Sequence, residues 1–103
     1  GVAALLQIKP IMTMHDGKPG SERVRTQDRA LKRVVEMLAV AGTLERVAMV
    51  HTHASEDILA RLSSMSANLL PQRSILTVDI TPVIGAHIGP GAVGFAVVQA
   101  SNQ

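Results

Sequence analysis

His87 lies in a segment in which glycine and proline recur at high density. Gly85, Gly89 and Gly91 surround it, with a proline on either side. Glycine lets a ligand approach the main-chain N–H groups and permits positive φ, while proline fixes φ in advance. An imidazole on such a backbone can donate a hydrogen bond to an anion, or exchange a proton or a phosphoryl group, near neutral pH. The same pattern also fits a tight connection between two strands, with His87 as an ordinary surface residue.

Two arginines form a second candidate group. Arg23 and Arg25 stand immediately before a predicted helix, and they share one side of the chain if the segment is extended. A guanidinium group beside a helix N-terminus favours a carboxylate or a phosphate. An exposed basic surface is the simpler interpretation of the same two residues.

Other catalytic and metal-binding patterns find less support. His51 and His53 have the spacing that places two imidazoles on one side of a strand, which would suit zinc, copper or nickel. A third ligand at suitable spacing is missing, so the sequence favours two histidines at a strand end beside a helix N-cap. The serines lack the context of a nucleophile elbow, and the glycines match neither a Walker loop nor a dinucleotide fingerprint. We therefore expect no metal and no other cofactor.

Composition excludes several further classes. The chain of 103 residues has no cysteine, which rules out disulfides, thiolate metal sites and a cysteine nucleophile. Its 10 Lys and Arg are interleaved with 8 Asp and Glu, and Phe95 is its one aromatic residue, so nucleic acid is not an expected partner. The apolar stretches are shorter than the roughly 20 residues of a membrane helix. A cytoplasmic location without stable membrane insertion is expected.

The elements that must position these residues follow from periodicity and turn signals. The predicted order begins with a strand over 6–14, an Asp-Gly turn at 16–17 and a return strand of a few residues. A helix from Thr26 to Gly42, a strand over 46–53 and a helix from Ser55 stopped by Pro71 follow. Two strands, over 74–80 and 92–98, complete the order. This order predicts an α/β fold, a two-layer sandwich in which two main helices cover one face of a mixed β-sheet.

The first residues of the chain are apolar and lack an initiator methionine. We expect residues 1–103 to form a single domain of a longer protein, with the missing part upstream.

Several segments resemble the carboxyl-terminal domain of the DegV family. The most specific segment is Pro-Val-Ile-Gly-Ala-His-Ile-Gly-Pro-Gly-Ala over residues 82–92. The other segments are Ile-Lys-Pro-Ile at 8–11, Asp-Gly-Lys at 16–18, Val-Arg-Thr at 24–26 with Ala-Leu at 30–31, and Val-His at 50–51. Together they extend over nearly the whole chain.

The resemblance implies a bacterial carrier and not an enzyme. DegV proteins are two-domain fatty-acid-binding proteins of the EDD type that hold a long acyl chain in a tunnel. In several bacteria they present its carboxylate to a separate fatty acid kinase, which converts it to an acyl phosphate. The implied partners are therefore a long-chain fatty acid, the amino-terminal domain of the same protein, which is absent here, and a fatty acid kinase.

The resemblance also implies a ligand-binding site. Matched position by position, His87 and Arg25 lie near the head group, and Gly85, Gly89 and Gly91 form the loop that holds the histidine. Candidate wall residues, each of which also fits an ordinary core, are Ile11, Met12, Met14, Ile84, Val93 and Phe95. The family usually carries threonine where this chain has Ile88, so a hydroxyl beside His87 is missing, and the family's exact head-group contacts and ligand preference are not carried over to this chain.

The residues taken by themselves leave two other functions open. One is a phosphocarrier or hydrolase in which His87 reacts covalently. The other is a regulatory module that binds a small anion without an alkyl tail.

Overall fold

The computed structural model describes residues 9–71, 75–82 and 89–100. The elements in chain order are β1 (Lys9–His15), β2 (Lys18–Val24), α1 (Gln27–Val40), β3 (Leu44–His51), α2 (Glu56–Ser66), β4 (Leu76–Asp79) and β5 (Val93–Gln99). The chain divides into two compact units, Gly1–Glu36 and Met37–Gln103, with the boundary inside α1. In the described part of the chain, neither helix is long and apolar enough to cross a membrane.

β1 and β2 form an antiparallel hairpin closed by Asp16 and Gly17. The φ angles of these two residues are 50° and 75°, which is the type I′ geometry that an Asp-Gly pair predicts. The return strand has seven residues, so the prediction that Pro19 and Gly20 limit it to a few residues is wrong. In a hairpin with a two-residue turn, hydrogen-bonded and non-hydrogen-bonded pairs alternate from the turn outward, and Pro19 opposite Met14 falls in a non-hydrogen-bonded pair. Its missing N–H therefore removes no bond from the ladder.

A bidentate ion pair attaches the hairpin to α1. Arg33 donates from Nε to Oε2 of Glu22 and from Nη2 to Oε1, both at 2.8 Å. Glu22 is opposite Ile11 in the register, so both side chains lie on the hairpin face that is directed to the helix, and Ile11 is buried. The opposite face carries Met12 and Met14, which are 63% and 70% exposed. These methionines are therefore not core residues.

α1 has the ends that the sequence predicts. Thr26 is its N-cap, because the Arg29 N–H donates to the Thr26 hydroxyl at 3.1 Å. Leu31 and Leu38 are buried, and because they lie two helical turns apart they share one side of the helix. Gly42 follows the last turn with a φ of 76°, which glycine adopts without strain.

α2 begins where the sequence predicts and ends earlier. The Ile58 N–H donates to the Ser55 hydroxyl at 3.3 Å, which makes Ser55 the N-cap. The helix ends at Ser66 instead of continuing to Pro71. The buried Ser66 hydroxyl donates to the Leu62 carbonyl at 2.6 Å, and the Leu69 N–H then bonds three residues back to Ser66. Side-chain bonds to the backbone and tighter turns therefore replace the α-helical pattern before the proline is reached.

β3 is the central strand of a mixed three-stranded sheet with the order β4-β3-β5. It pairs in parallel with β4 and antiparallel with β5. The predicted mixed α/β fold with two helices is confirmed. The order of elements predicts a single sheet, whereas the hairpin is a separate two-stranded sheet among the described residues. Its strands are adjacent in sequence and joined by a two-residue turn, so they satisfy each other's hydrogen bonds locally.

The three-stranded sheet has one covered face. Met49 of β3 shares this face with Thr77 and Phe95, its partners on β4 and β5. Leu59 and Ala60 of α2 border the same groove as Met49 and Thr77, so α2 packs on this side. We call it the inner face and the opposite side the outer face. The core of the second unit therefore lies between α2 and the inner face.

Replacement of Leu62 by alanine tests this location of the core. Leu62 is fully buried, so Leu62→Ala is expected to lower the free energy of unfolding by about 2–5 kcal/mol. Leu76→Ala is the matched control, because Leu76 is exposed on the outer face and its loss is expected to change stability by less than about 0.5 kcal/mol. Urea denaturation followed by circular dichroism measures both. Equal losses in the two variants would contradict the assignment of the core to the inner face.

Candidate functional site

The carboxyl ends of β3 and β4 meet at one edge of the sheet, because these strands are parallel. The segment that contains His87 leaves this edge after β4 and returns to it before β5. The structure describes the beginning of this segment, residues 80–82, which we call the outgoing limb. It also describes the end, residues 89–92, which we call the return limb. Residues 83–88 lie outside the described residues, so the predicted roles of Gly85 and His87 and the effect of Ile88 stay predictions.

Thr52, directly after β3, anchors the return limb. Its buried hydroxyl donates to the Gly89 carbonyl at 2.7 Å and accepts from the Ala92 N–H at 3.0 Å. Its backbone N–H donates to the Ala92 carbonyl at 2.9 Å, and its carbonyl accepts from the Gly91 N–H at 2.5 Å. Four hydrogen bonds thus attach residues 89–92 to the end of β3.

Gly89 and Gly91 have a conformational reason to be glycine. Their φ angles are 82° and 90°, in the region that other residues rarely adopt. A Cβ atom built on either would have no heavy atom within 4 Å, so space is not the constraint. The sequence-based expectation that glycine supplies positive φ here is therefore confirmed at both positions. Their contact with a ligand remains a prediction.

Asp79, the last residue of β4, organises the outgoing limb. One carboxylate oxygen accepts from the backbone N–H of Thr81 at 2.9 Å and from its hydroxyl at 2.5 Å. The other accepts from the His53 backbone N–H at 3.3 Å and lies 2.8 Å from His53 Nδ1. The hydrogen bonds from Thr81, followed by the positive charge that His53 can carry, lower the pKa of Asp79 to about 2. The carboxylate is therefore charged at neutral pH.

The two histidines after β3 have separate partners. His51 Nδ1 accepts from the Ala54 N–H at 3.1 Å, so the neutral ring carries its proton on Nε2. His53 has a φ of 46° and pairs with Asp79 across the sheet edge. The interpretation as strand-end histidines beside a helix N-cap is confirmed, since β3 ends at His51 and Ser55 caps α2. In the ranges that the structure describes, no cluster of three His, Asp or Glu is arranged to hold a metal ion.

Arg25 lies in the bend between β2 and α1 and is exposed. β2 ends at Val24, so the strand alternation that would align Arg23 with Arg25 does not extend to Arg25. The bend is held on both sides, by the Thr26 cap and by the Glu22–Arg33 ion pair. Among the residues described, Arg25 forms no ion pair. Its guanidinium group can therefore accept an anionic partner.

The residues that hold the two limbs have weak or no signals in the local sequence. Neither Thr52 nor Asp79 is among the candidate site residues that the sequence predicts. A local signal existed for Asp79, because an aspartate two residues before a threonine is typical of an Asx turn. Thr52 had no local signal, because its partners are 37 and 40 residues away.

Comparison with known sequences identifies the class of protein. A family model described as "Uncharacterised protein, DegV family" matches residues 1–100. A DegV domain-containing protein of Clostridium acetobutylicum is 35% identical over 107 residues, covering 99% of this chain and 36% of its own length. One of Listeria monocytogenes is 37% identical over 97 residues, covering 90% of this chain and 34% of its own length. The chain thus spans about a third of the length of these curated relatives.

Solved structures agree with the sequence comparison. A fatty acid binding DegV family protein of Streptococcus agalactiae has a TM-score of 0.75 and 31% identity, covering 97% of this chain and 36% of its own. A DegV family protein of Corynebacterium glutamicum has a TM-score of 0.74 and 27% identity, covering 99% of this chain and 40% of its own. The chain belongs to the DegV family.

Replacement of Thr52 tests the anchor of the return limb. Thr52→Val keeps the shape but leaves the Ala92 N–H and the Gly89 carbonyl without this partner, and we expect a loss of about 1–3 kcal/mol in the free energy of unfolding. Thr52→Ser keeps the hydroxyl and is expected to lose less than about 1 kcal/mol. Urea denaturation gives the stabilities, and amide hydrogen exchange at Ala92 is expected to accelerate in the valine variant alone. Wild-type exchange in Thr52→Val would contradict the anchor.

The lowered pKa of Asp79 predicts a dependence of stability on acid. Because the folded pKa is about 2 and the ordinary value is 3.8, the carboxylate stabilises the fold above pH 3.8. This contribution is lost as the pH falls through about 2. NMR titration of the side-chain carboxyl carbon should give a midpoint near 2. Asp79→Asn should lose stability at neutral pH and show a weaker dependence in this acid range. A midpoint near the ordinary value would contradict the hydrogen bonds from Thr81.

Proposed function

We propose that this chain is part of a carrier protein that binds a long-chain fatty acid and is not itself an enzyme. The observation that carries the proposal is the match to the fatty acid binding protein of Streptococcus agalactiae, at 31% identity over 97% of the chain. The anchored limbs support it, because Thr52 and Asp79 hold both ends of the segment that carries His87 in fixed positions.

In this proposal Arg25 and His87 bind the carboxylate. A guanidinium group gives a carboxylate two parallel charge-assisted hydrogen bonds, and an imidazole adds a further donor. The exposure of Arg25 and its lack of an ion pair in the described ranges leave the guanidinium available. Gly89 and Gly91 return the loop to Thr52, and Gly85 completes it. The remaining donors come from an amino-terminal domain of the full-length protein.

The carrier presents the bound carboxylate to a fatty acid kinase in the cytoplasm, which converts it to an acyl phosphate. Presentation requires a head group near the protein surface, and the exposed Arg25 suits that requirement. In this role the bound acid is the substrate of the kinase, so the carrier needs no nucleophile of its own.

Head-group variants of the full-length protein test the proposal. Arg25→Ala and His87→Ala are each expected to weaken oleate binding about tenfold or more, since a hydrogen bond to a charged group contributes about 1.5–3 kcal/mol. Arg29→Ala, an exposed arginine on α1, is the control and should bind as the wild type does. Native mass spectrometry and lipid extraction identify the acid that co-purifies, and oleate titration gives the dissociation constants.

Unchanged binding and unchanged phosphorylation in both head-group variants would show that the assignment is wrong. Phosphohistidine at His87, detected by mass spectrometry under alkaline conditions, would instead support the phosphocarrier. Binding of small carboxylates without any preference for an alkyl tail would support the regulatory module.

A further inference from the structure

The hairpin presents two methionines to solvent on one face. Met12 and Met14 are two residues apart on β1, so their side chains point to the same side of the strand. They are 63% and 70% exposed. Their cross-strand partners on β2 are Ser21 and Pro19, and these short side chains leave both thioether groups accessible. We call Met12 and Met14 the methionine pair.

The opposite face of the hairpin fixes this orientation. Thr13 and Gly20 are partners there, and a Cβ atom built on Gly20 would lie 2.6 Å from the Thr13 hydroxyl. A shift of the register by one residue would exchange the faces of one strand and bring a larger β2 side chain into that space. The Glu22–Arg33 ion pair also holds this face against α1. The methionine pair therefore stays on the solvent side.

The other methionines have less access to solvent. The chain has five, and the remaining three are Met37, Met49 and Met65. Met49 is buried on the inner face of the three-stranded sheet, with 4% of its surface exposed. Met37 and Met65 are half-buried residues of α1 and α2. A dissolved oxidant must touch the sulfur to react with it, so exposure separates the methionine pair from the other three.

We propose that the methionine pair is a modification site, at which hydrogen peroxide or an organic hydroperoxide oxidises both thioethers to sulfoxides. A sulfur lone pair attacks the terminal peroxide oxygen, and an S–O bond forms as the O–O bond breaks. The departing oxygen takes up the proton of the transferred oxygen and leaves as water or as an alcohol. The sulfur loses two electrons, and the peroxide gains them. This inference does not depend on fatty acid binding.

The sulfoxide is compatible with the fold. Its oxygen is a hydrogen-bond acceptor that stays in water at both positions, so no buried polar group is left unsatisfied. The reaction is reversible, because a sulfoxide reductase that uses a dithiol restores the thioether, with the dithiol converted to a disulfide and the oxygen released as water. The modification therefore changes the polarity of one hairpin face and leaves the hairpin folded.

Peptide mapping of the full-length protein tests the site. The protein is treated with hydrogen peroxide, the reaction is stopped at intervals, and trypsin digestion is followed by mass spectrometry. Met37, Met49 and Met65 fall in three different tryptic peptides, and fragment ions distinguish Met12 from Met14 in a fourth. The methionine pair is expected to oxidise about tenfold faster than Met49 or more, because a buried sulfur reacts only after local opening.

Two controls connect the selectivity to the structure. In concentrated urea all five methionines should oxidise at similar rates, since burial no longer protects any of them. The double variant Met12→Leu, Met14→Leu should keep the circular dichroism spectrum of the wild type and take up no oxygen in that peptide. Met65→Leu is the matched control and should leave the oxidation rate of the methionine pair unchanged. Incubation of the oxidised protein with methionine sulfoxide reductases A and B and dithiothreitol should restore both thioethers.

The outcomes separate this inference from the proposed function. Oxidation of the methionine pair no faster than that of Met49 in the full-length protein would overturn the site, whatever the protein binds. Protection that appears only with oleate bound would also overturn it and assign the pair to the ligand pocket. Unfolding on oxidation, seen by circular dichroism, would contradict a change confined to the surface. Selective oxidation in a protein that binds no fatty acid would support the site and count against the carrier function alone.

Discussion

The buried hydroxyl of Thr52 is the interaction on which the carboxyl edge of the sheet depends. A buried hydroxyl is costly unless it is satisfied, and here it donates to Gly89 and accepts from Ala92 at the same time. Asp79 holds the outgoing limb in a similar way, because its single carboxylate accepts hydrogen bonds from both Thr81 and His53. The segment around His87 therefore leaves from one fixed point and returns to another.

In the first compact unit an ion pair, and not a buried hydroxyl, connects the hairpin to α1. The Arg33 guanidinium group donates one hydrogen bond to each carboxylate oxygen of Glu22. These bonds lower the pKa of the Glu22 carboxyl and raise the pKa of the Arg33 guanidinium group. Both groups are partly exposed, so the contact fixes geometry more than it adds stability. It directs Ile11 and Leu31 into the interior while Arg25, in the bend between β2 and α1, remains in solvent.

The sequence predicted best where a feature is decided by neighbouring residues. The type I′ turn at Asp16 and Gly17 and the caps at Thr26 and Ser55 depend on one to four residues, and all are observed. The length of β2 does not follow from its own residues, because the effect of Pro19 depends on whether its cross-strand pair is hydrogen-bonded.

Long-range contacts account for most of what the sequence could not predict in the site. No pattern near Thr52 indicates that its partners lie beyond β4. The early end of α2 has a different cause, because Ser66 competes with the helix through its own hydroxyl. The sequence also does not predict which face of the sheet is exposed. The covered side of β3 depends on where α2 packs and not on the alternation of the strand itself.

The pairing of β3 with β5 also sets an order of events during synthesis. Pairing of β3 with β5 brings Leu44 next to Gln99, which is far along the chain. The hairpin, by contrast, needs only a two-residue turn between its strands. As the chain leaves the ribosome, the hairpin can form at once, and β3 can pair with β4 once α2 has folded. The Thr52 hydroxyl must then remain hydrated until residues 89–92 emerge. The anchor of the segment around His87 is therefore among the last parts of the chain to become ordered, after β3 and α2 are in place.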